Sequence, residues 1–369
     1  FGSSIGSSSG PARRSRGQDM QILITGGLGF LGQELCRALL KQEKLTDCAG
    51  QATAVKGVVL FDVVLPREPK EGVLADARVT CRDGDITDPE VCRSLVASLG
   101  EGPISVYHLA GVMSGQAEKD FDVGLRVNLD GTRNMLEACR ARSGKAKFIF
   151  ASSMAAFGET YGPPDAALGD TTKLVPRNTY GMTKAVGELL VNDFTRKGFV
   201  DGRTARLPTV VVRPGLPNAA TTSCYSGVVR EPLHGVDVVL PIGRDLPHAV
   251  SSTRALIQNL IIIHDAVWPE GLVDRSATLP SIPATLRQLI EALYEVVPPE
   301  EHASLGKISD KEDAFLSSVV AGMGANLSSE RAMQHGMVKV PDLTTIVKEF
   351  LEDFGEKAVV GRNKRQRTE

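Results

Sequence analysis

"TGGLGFLG", Thr25–Gly32, follows the apolar run "QILI" (Gln21–Ile24) and fits two glycine spacings at once. Gly27, Gly29 and Gly32 satisfy G-x-G-x-x-G, the general dinucleotide loop, whereas Gly26, Gly29 and Gly32 satisfy G-x-x-G-x-x-G. Either spacing needs glycine for physical reasons. One glycine allows a tight turn, one lets the backbone approach a pyrophosphate, and one lets the helix pack on the strand. The helix that follows then offers free N–H groups and a partial positive charge to phosphate. The surroundings satisfy the requirement for a strand before and a helix after. "QILIT" reads as a strand, and "FLGQELCRALLKQ" reads as a helix with Leu31, Leu35, Leu39 and Leu40 on one face.

The same alternation continues along the chain. "GVVLFDVV" (Gly57–Val64), "ARVTCRDGD" (Ala77–Asp85), "ISVYHLA" (Ile104–Ala110), "KFIFASS" (Lys147–Ser153) and "TVVVRPG" (Thr209–Gly215) read as strands. "DPEVCRSLVASLG", the segment from roughly Phe121 to Arg142, and "YGMTKAVGELLVNDFTRKG" (Tyr180–Gly198) read as helices. Strands this apolar are buried on both faces, so the pattern predicts a Rossmann-like, doubly wound α/β fold with a parallel sheet covered by helices. After about Pro214 the alternation weakens, and a smaller C-terminal part of loops and helices is expected to cap the carboxyl ends of the strands.

The expected organisation is an unstructured leader over residues 1–19 and a mainly dinucleotide-binding unit over 20–215. A mainly substrate-binding part follows over 216–355, with some return to the sheet, and a basic tail covers 356–369. The leader is Ser/Gly-rich with Arg13, Arg14 and Arg16. It reads as an expression scar, a truncated upstream region or part of an organelle transit peptide, with Met20 near the start of the fold.

Composition bounds the partners. The 369 residues are 42% hydrophobic and 23% charged, with a formal net charge of −2, which gives no reason to expect nucleic acid as a partner. No apolar run reaches the roughly 18–20 residues that a bilayer span needs, so no membrane partner is expected. The six cysteines include no C-x-x-C pair, which removes sequence support for zinc or dithiol chemistry and suits a reducing, cytoplasmic setting. The histidines show no metal spacing, so no metal is expected. His108 and His264 read as buried polar residues.

Two carboxylates flank the loop. Asp62 ends the strand after the glycine loop, where it can accept hydrogen bonds from ribose hydroxyls and repel a 2′-phosphate, favouring NAD over NADP. The alternative is a strand-end turn residue. The polar stretch "EKLTDCAGQATA" (Glu43–Ala54) reads as an insertion that lengthens the gap from Gly32 to Asp62. Asp85, in "GDITD", can meet the adenine or cap the following helix.

"YGMTK" sets Tyr180 and Lys184 four residues apart, on one face of a helix. A neighbouring ammonium favours phenolate and lowers the Tyr pKa, and such a Tyr can remove a hydroxyl proton. "FASSMAAFG" places Ser152 and Ser153 at the carboxyl end of a strand, where ligands bind in open α/β sheets. A hydroxyl there can hold the substrate oxygen or cap a turn. An acidic substrate needs a cation, and guanidinium suits a carboxylate because it donates bidentately. Arg230 in "VVREPL" and then Arg254 are the candidates, each equally readable as half of a structural ion pair. Ser114, after the "HLAG" strand end, can meet a substrate hydroxyl.

Taken in this order and spacing, the motifs resemble the extended short-chain dehydrogenases/reductases, over roughly Met20–Gly355. "GDITD", "HLAG" (His108–Gly111), "VNLDGT" (Val127–Thr132) and "RPG" (Arg213–Gly215) strengthen the likeness. The resemblance implies NAD as cofactor, with Gly26, Gly29 and Gly32 as the phosphate-loop glycines. It implies catalytic roles for Ser153, Tyr180 and Lys184, and NAD contacts from Phe30, Leu31, Asp62, Asp85, Ile86, Leu109, Ala110, Asn128, Tyr180, Lys184 and Pro214. Asn128 corresponds to an asparagine that orders water or backbone near the Lys. A homodimer through the Tyr-bearing helix and the long helix before it is also implied.

A narrower resemblance, carried by "GFVDGRTARLPTVVVRPG" (Gly198–Gly215) and "REPL" (Arg230–Leu233), is to the NAD-dependent D-erythronate dehydrogenase group. It implies oxidation of the 2-hydroxyl of a small sugar acid to the 2-keto acid. The substrate residues would be Ser114, Ser153, Asn218, Arg230 and Arg254. The chain departs from the group's "RPGKPN" pattern at Leu216, where a Lys is usual. Two rivals share the scaffold: a nucleotide-sugar epimerase or dehydratase with retained NAD, and a non-catalytic dinucleotide-binding sensor or scaffold.

Overall fold

The computed structural model describes residues 19–66, 71–158, 166–216 and 220–365, with side chains described as far as Gly355. Residues 1–18 of the expected leader, Asn218, and the side chains of the expected basic tail lie outside the described residues.

The first unit runs β1 (Met20–Thr25), α1 (Phe30–Leu39), β2 (Lys44–Thr46), β3 (Ala52–Asp62), β4 (Val79–Asp83), α2 (Pro89–Ala97) and β5 (Ile104–His108). The chain continues through α3 (Ser114–Lys119), α4 (Phe121–Gly124) and α5 (Gly131–Ala141) to β6 (Ala146–Ser153), α6 (Thr179–Arg196) and β7 (Val200–Leu207). A π-helical turn over Leu125–Asp130 joins α4 to α5, which is the long helical segment read in the sequence. The insertion Glu43–Ala54 forms a hairpin in which β2 pairs antiparallel with the start of β3.

The remainder comprises β8 (Thr209–Val210), α7 (Cys224–Leu233), β9 (Val238–Leu240), β10 (His248–Ser251) and α8 (Thr253–Asp265). It then runs β11 (Ser276–Thr278), β12 (Ile282–Ala284), α9 (Leu286–Val296), β13 (Ile308–Asp310), α10 (Ala314–Ala321), α11 (Glu330–Gln334) and α12 (Leu343–Arg365).

Parallel strands lie in the order β4-β3-β1-β5-β6-β7-β11, with β2 added at one edge. The order reverses between β1 and β5, and that switch point opens a crevice at the carboxyl ends of the strands. Both faces are covered. Ile22, Ile24, Val58, Leu60 and Ile149 face α1 and α8, while Leu23, Phe61, Val106 and Phe148 face α2 and α5. Alternate residues of one strand therefore enter two different cores, as the period of 2 requires.

The sheet corrects one part of the sequence reading. "TVVVRPG" contributes only the two residues of β8, to a small sheet ordered β12-β10-β8. The sheet strand is the preceding "VDGRTARL", whose pattern is interrupted by Arg203 and Arg206. Both arginines are buried, and burial is tolerable because each is paired. Arg206 donates to both oxygens of Glu188, and Arg203 pairs with Asp201.

Around α7, α9 and α12 lies a second core that includes Tyr225, Val229, Leu286, Leu293, Val347 and Phe350. α8 and β11 return to the main sheet from this half of the chain.

Candidate active site

A cleft of about 540 Å³ lies at the carboxyl ends of β1, β3, β5 and β6, roofed by the segments around β8 and α7. Nearly every candidate residue meets there. Gly26, Gly29, Phe30, Leu31, Gly32, Asp62, Asp85, Ile86, Leu109, Ala110 and Pro214 line it. So do Ser114, Ser153, Tyr180, Lys184 and Arg230.

The doubled glycine divides its tasks. Gly26 lines the cleft with φ +68°, and a Cβ there would lie 2.9 Å from the Ala110 amide nitrogen. Gly27 turns away from the cleft. Its N–H donates to the Phe61 carbonyl, and a Cβ would lie 2.6 Å from the Ile24 oxygen and 2.8 Å from Leu60 Cα. Gly26 therefore faces the ligand space, and Gly27 lets the loop lie against β3. A Cβ on Gly32 would lie 2.5 Å from the Gly26 oxygen, so the first turn of α1 needs glycine there for the loop to close.

The N-terminus of α1 carries no acidic residue in its first turn and no side-chain cap, leaving its N–H groups for an anion. Asp62 accepts from Leu28 N at 3.2 Å and Val63 N at 2.9 Å, which fixes the carboxylate at the rim and ties it to the glycine loop. Asp85 accepts from Thr87 N at 2.9 Å, while the cap of α2 is Asp88, so Asp85 does not cap that helix. This cradle fits a dinucleotide: a glycine turn, an open helix terminus and an acid at the next strand end.

β6 delivers Ser153 and α6 delivers Tyr180 and Lys184. α6 starts at Thr179 because Asn178 caps it, its side chain accepting from Gly181 N at 2.7 Å. Ser153 hydrogen-bonds the phenol of Tyr180. Burial raises the Tyr180 pKa, and the Ser153 hydrogen bond and the positive charge of Arg213 pull it back down.

Lys184 is buried, donates to Ala151 O at 2.8 Å, and lies 4.9 Å from the Phe150 ring centroid and 5.5 Å from that of Tyr180. Burial lowers its pKa to about 8, with Glu188 opposing the shift. The ammonium sits over the Tyr180 ring while donating to a backbone carbonyl, and Arg213 is a second cation whose charge acts on the phenol.

Beneath these groups, Ser152 donates to Glu188 Oε1 at 2.5 Å. His108 bonds Thr25 Oγ1 at 2.7 Å and Thr132 Oγ1 at 3.1 Å, and burial lowers its pKa to about 3, so it is neutral.

Two candidates stand elsewhere. Asn128 does not line the cleft. Its amide clasps Val112, accepting from N at 2.8 Å and donating to O at 3.1 Å, which fixes the loop opposite Lys184. Arg254 does not line the cleft and is held on the exposed surface by Asp353 at 2.6 Å and Glu352 at 2.8 Å. Asn218 lies outside the described residues. Arg230 does line the cleft, but it donates to Arg213 O at 2.8 Å and to Glu231 Oε1 at 2.5 Å, so its charge is already matched.

Sequence reasoning passed over Arg213, Thr209, Thr221, Thr222, Ser223 and Ser226, all of which line the cleft. The adjacency of Glu231 to Arg230 was a signal that Arg230 would be paired. The run "TTSC" (Thr221–Cys224) was a signal of a hydroxyl-bearing wall. Leu216 also lines the cleft and is 91% exposed. Among the described residues no three metal-ligating side chains gather, and no helix is long and apolar enough to cross a membrane.

The chain belongs to the NAD dependent epimerase/dehydratase family, whose model matches residues 22–244. It is accordingly an extended short-chain dehydrogenase/reductase, an NAD-dependent dehydrogenase by class, with NAD as its cofactor. It is 39% identical over 336 residues to the D-erythronate dehydrogenase of Cupriavidus necator, covering 91% of this chain and 99% of that protein. It is 36% identical over 336 residues to the D-erythronate dehydrogenase of Haemophilus influenzae, covering 90% and 99%. Among solved structures, a nucleoside-diphosphate-sugar epimerase from Agrobacterium tumefaciens matches with a TM-score of 0.79 at 31% identity, covering 92% of this chain and 98% of that one. The UDP-glucose 4-epimerase of Thermus thermophilus, solved in complex with NAD, shares the fold at a TM-score of 0.70 and 18% identity, covering 90% and 99%.

Proposed function

We propose that the protein oxidises the 2-hydroxyl of a small sugar acid, D-erythronate or a close analogue, to the 2-keto acid. The observation that carries this reading is the meeting of Ser153, Tyr180 and Lys184 with the glycine cradle in one cleft whose far wall bears arginine and hydroxyl groups. Full-length similarity to two D-erythronate dehydrogenases supports the substrate class.

The residues divide the work as follows. Ser153 holds the substrate oxygen beside Tyr180, and Tyr180 takes the hydroxyl proton as general base. Arg213 and Ser153 stabilise the phenolate against burial. Lys184 holds the nicotinamide ribose, fixed in place by the Ala151 carbonyl. Gly26, Gly29 and Gly32, with the α1 terminus, hold the pyrophosphate, and Asp62 the adenosine ribose. NAD, when bound, supplies the acceptor for the hydride from C2. With the hydroxyl proton taken by Tyr180, the products with NAD bound would be the 2-keto acid, NADH and one released proton.

In this reading residues 20–215 mainly hold cofactor and base, and 216–355 mainly shape the substrate side. Six free cysteines support a reducing compartment, and the cytoplasm is the proposed location. The exposed apolar side chains Phe121 on α4 and Leu189 on α6 support a homodimer through these helices, which sedimentation tests.

A second reading, nucleotide-sugar epimerase, is favoured by the likeness to the Agrobacterium tumefaciens protein. Product analysis separates the two. Incubation with NAD and D-erythronate is expected to give stoichiometric NADH and a 2-keto acid trapped as its hydrazone. Tightly retained NAD, no net NADH and epimerised nucleotide sugar would replace this reading with the second.

A further inference from the structure

Two arginines line the substrate side of the cleft, and their surroundings differ in kind. Arg230 is 4% exposed and already neutralised by Glu231. Arg213 follows β8, and both ends of its peptide are held by α7. Its N–H donates to Ser226 Oγ at 3.1 Å, and its carbonyl accepts from Arg230 Nη1 at 2.8 Å. Its guanidinium stacks 5.8 Å from the centroid of Phe30 and meets no carboxylate among the described residues. The charged or titratable neighbours that act on it are Arg230, a second cation, and Tyr180.

An unneutralised guanidinium beside another cation is costly in a partly buried site, and an incoming anion relieves that cost. Stacking on an aromatic face leaves the edge of the fork open, and that edge matches a carboxylate bidentately. We propose that Arg213 is the residue that receives the substrate carboxylate, and that Arg230 is a positioning residue that holds the Arg213 backbone.

The assignment deepens, and rests on, the hydroxy-acid reading above. It gives Arg213 two tasks from one position. It holds the carboxylate at C1 of the substrate, and it favours the phenolate of the base that acts on the hydroxyl of C2. An acid whose carboxylate and hydroxyl lie on adjacent carbons can engage both groups at once. A longer separation cannot do so without moving one of them.

The competing occupant is the pyrophosphate of the cofactor, because Phe30 opens α1. The experiment compares D-erythronate with its amide, D-erythronamide, in wild type, Arg213→Gln and Arg213→Lys, and measures NADH affinity by fluorescence. Both substrates share the effect of Arg213 on Tyr180, so the acid-to-amide ratio of kcat/KM isolates carboxylate recognition. Arg213→Gln is expected to lower that ratio on the order of 100-fold, mainly through KM for the acid. NADH affinity should stay within about threefold of wild type, a change worth less than a single hydrogen bond. Arg213→Lys should recover part of the ratio, having charge but no fork, and shows that any loss is not misfolding.

An unchanged ratio in Arg213→Gln, or a loss of NADH affinity as large as the loss for the acid, overturns the proposal. If wild type oxidises no hydroxy acid, the dehydrogenase reading fails separately. Calorimetric titration of D-erythronate into the NADH-loaded proteins then decides the matter for Arg213. Binding that Arg213→Gln abolishes supports the assignment, and equal binding or none overturns it.

Discussion

Lys147 and Lys184 are both buried, and burial lowers each pKa to about 8, yet they belong to opposite ends of the sheet. Lys147 sits at the amino end of β6. It donates to Thr46 O and His264 O, with Asp201 and Asp265 favouring its charge. His264 O is also an acceptor for Arg203, so two cations close the carboxyl end of α8, where the helix dipole favours them. Lys184 lines the cleft, holds one carbonyl and faces two aromatic rings. Equal desolvation thus serves different ends. Lys147 is closed on protein partners and holds the fold, whereas Lys184 faces the cleft and keeps bonding capacity for a ligand.

The contrast is broken most sharply by removing one lysine at a time. Lys184→Met should lower kcat/KM by about 100- to 1,000-fold, with melting temperature little changed, because the lost carbonyl bond is offset by relief of a desolvated charge. Lys147→Met should do the reverse. Turnover per folded molecule stays near wild type, and stability falls by roughly 1–2 kcal/mol, because Lys147 serves two carbonyls, Thr46 O and His264 O, where Lys184 serves one. Steady-state kinetics and denaturant unfolding of both variants check this crossover. Similar kinetic losses in the two would erase the distinction.

Glu188 lies between the two regions, one turn from Lys184 and bonded to Arg206, Ser152 and Ser276. Glu188→Gln leaves Arg206 charged and buried without its counter-ion. Urea unfolding should show a loss of about 3–5 kcal/mol. A loss below about 1 kcal/mol, the range of an exposed pair, would show that this ion pair is not structural.

Acid should weaken both ends together. Burial holds His108 at about 3 and His248 and His264 at about 4, against 6.5 in the unfolded chain. As pH falls from 6.5 towards 4 the unfolded chain takes up protons that the folded chain does not, so stability declines. Each histidine contributes a slope of up to about 1.4 kcal/mol per pH unit. Unfolding free energies measured across this window should fall with acid, and a flat profile contradicts the burial argument.

The smallest effect is on the alkaline side. A folded lysine that releases its proton near 8, against 10.5 unfolded, contributes stability that rises with pH between those values. Lys147→Met and Lys184→Met should each remove about one proton from that pH dependence. A change in only one variant would mean that the two lysines are not equally desolvated.

Much of the fold was legible because burial on both faces leaves continuous apolar strands, as in β1, β5 and β6. The strand β7 was not, because its two arginines break the apolar pattern and most of the groups that answer them lie on other elements. Arg206 is answered by Glu188, on the preceding helix, and Arg203 by the end of α8. Local periodicity carries no trace of either.

The site divides in the same way. The glycine loop, Ser153, Tyr180 and Lys184 are local motifs on adjacent elements, and the structure brings them together. Charge pairing is non-local, so Arg254 could not be told from a ligand residue until Asp353 and Glu352 appeared beside it. Arg230 differs, because the residue that meets its charge, Glu231, is its immediate neighbour in sequence. Asn128 was placed correctly near the Lys, but its side chain is spent on the Val112 backbone.

The claim that this cleft is a catalytic site for hydroxy acids, with Tyr180 as its base, is tested most directly by NADH formation from D-erythronate. Wild type should turn over, and Tyr180→Phe, which keeps the ring and removes the proton acceptor, should lose on the order of 1,000-fold in kcat while retaining NAD affinity. A Tyr180→Phe enzyme as fast as wild type would contradict the account.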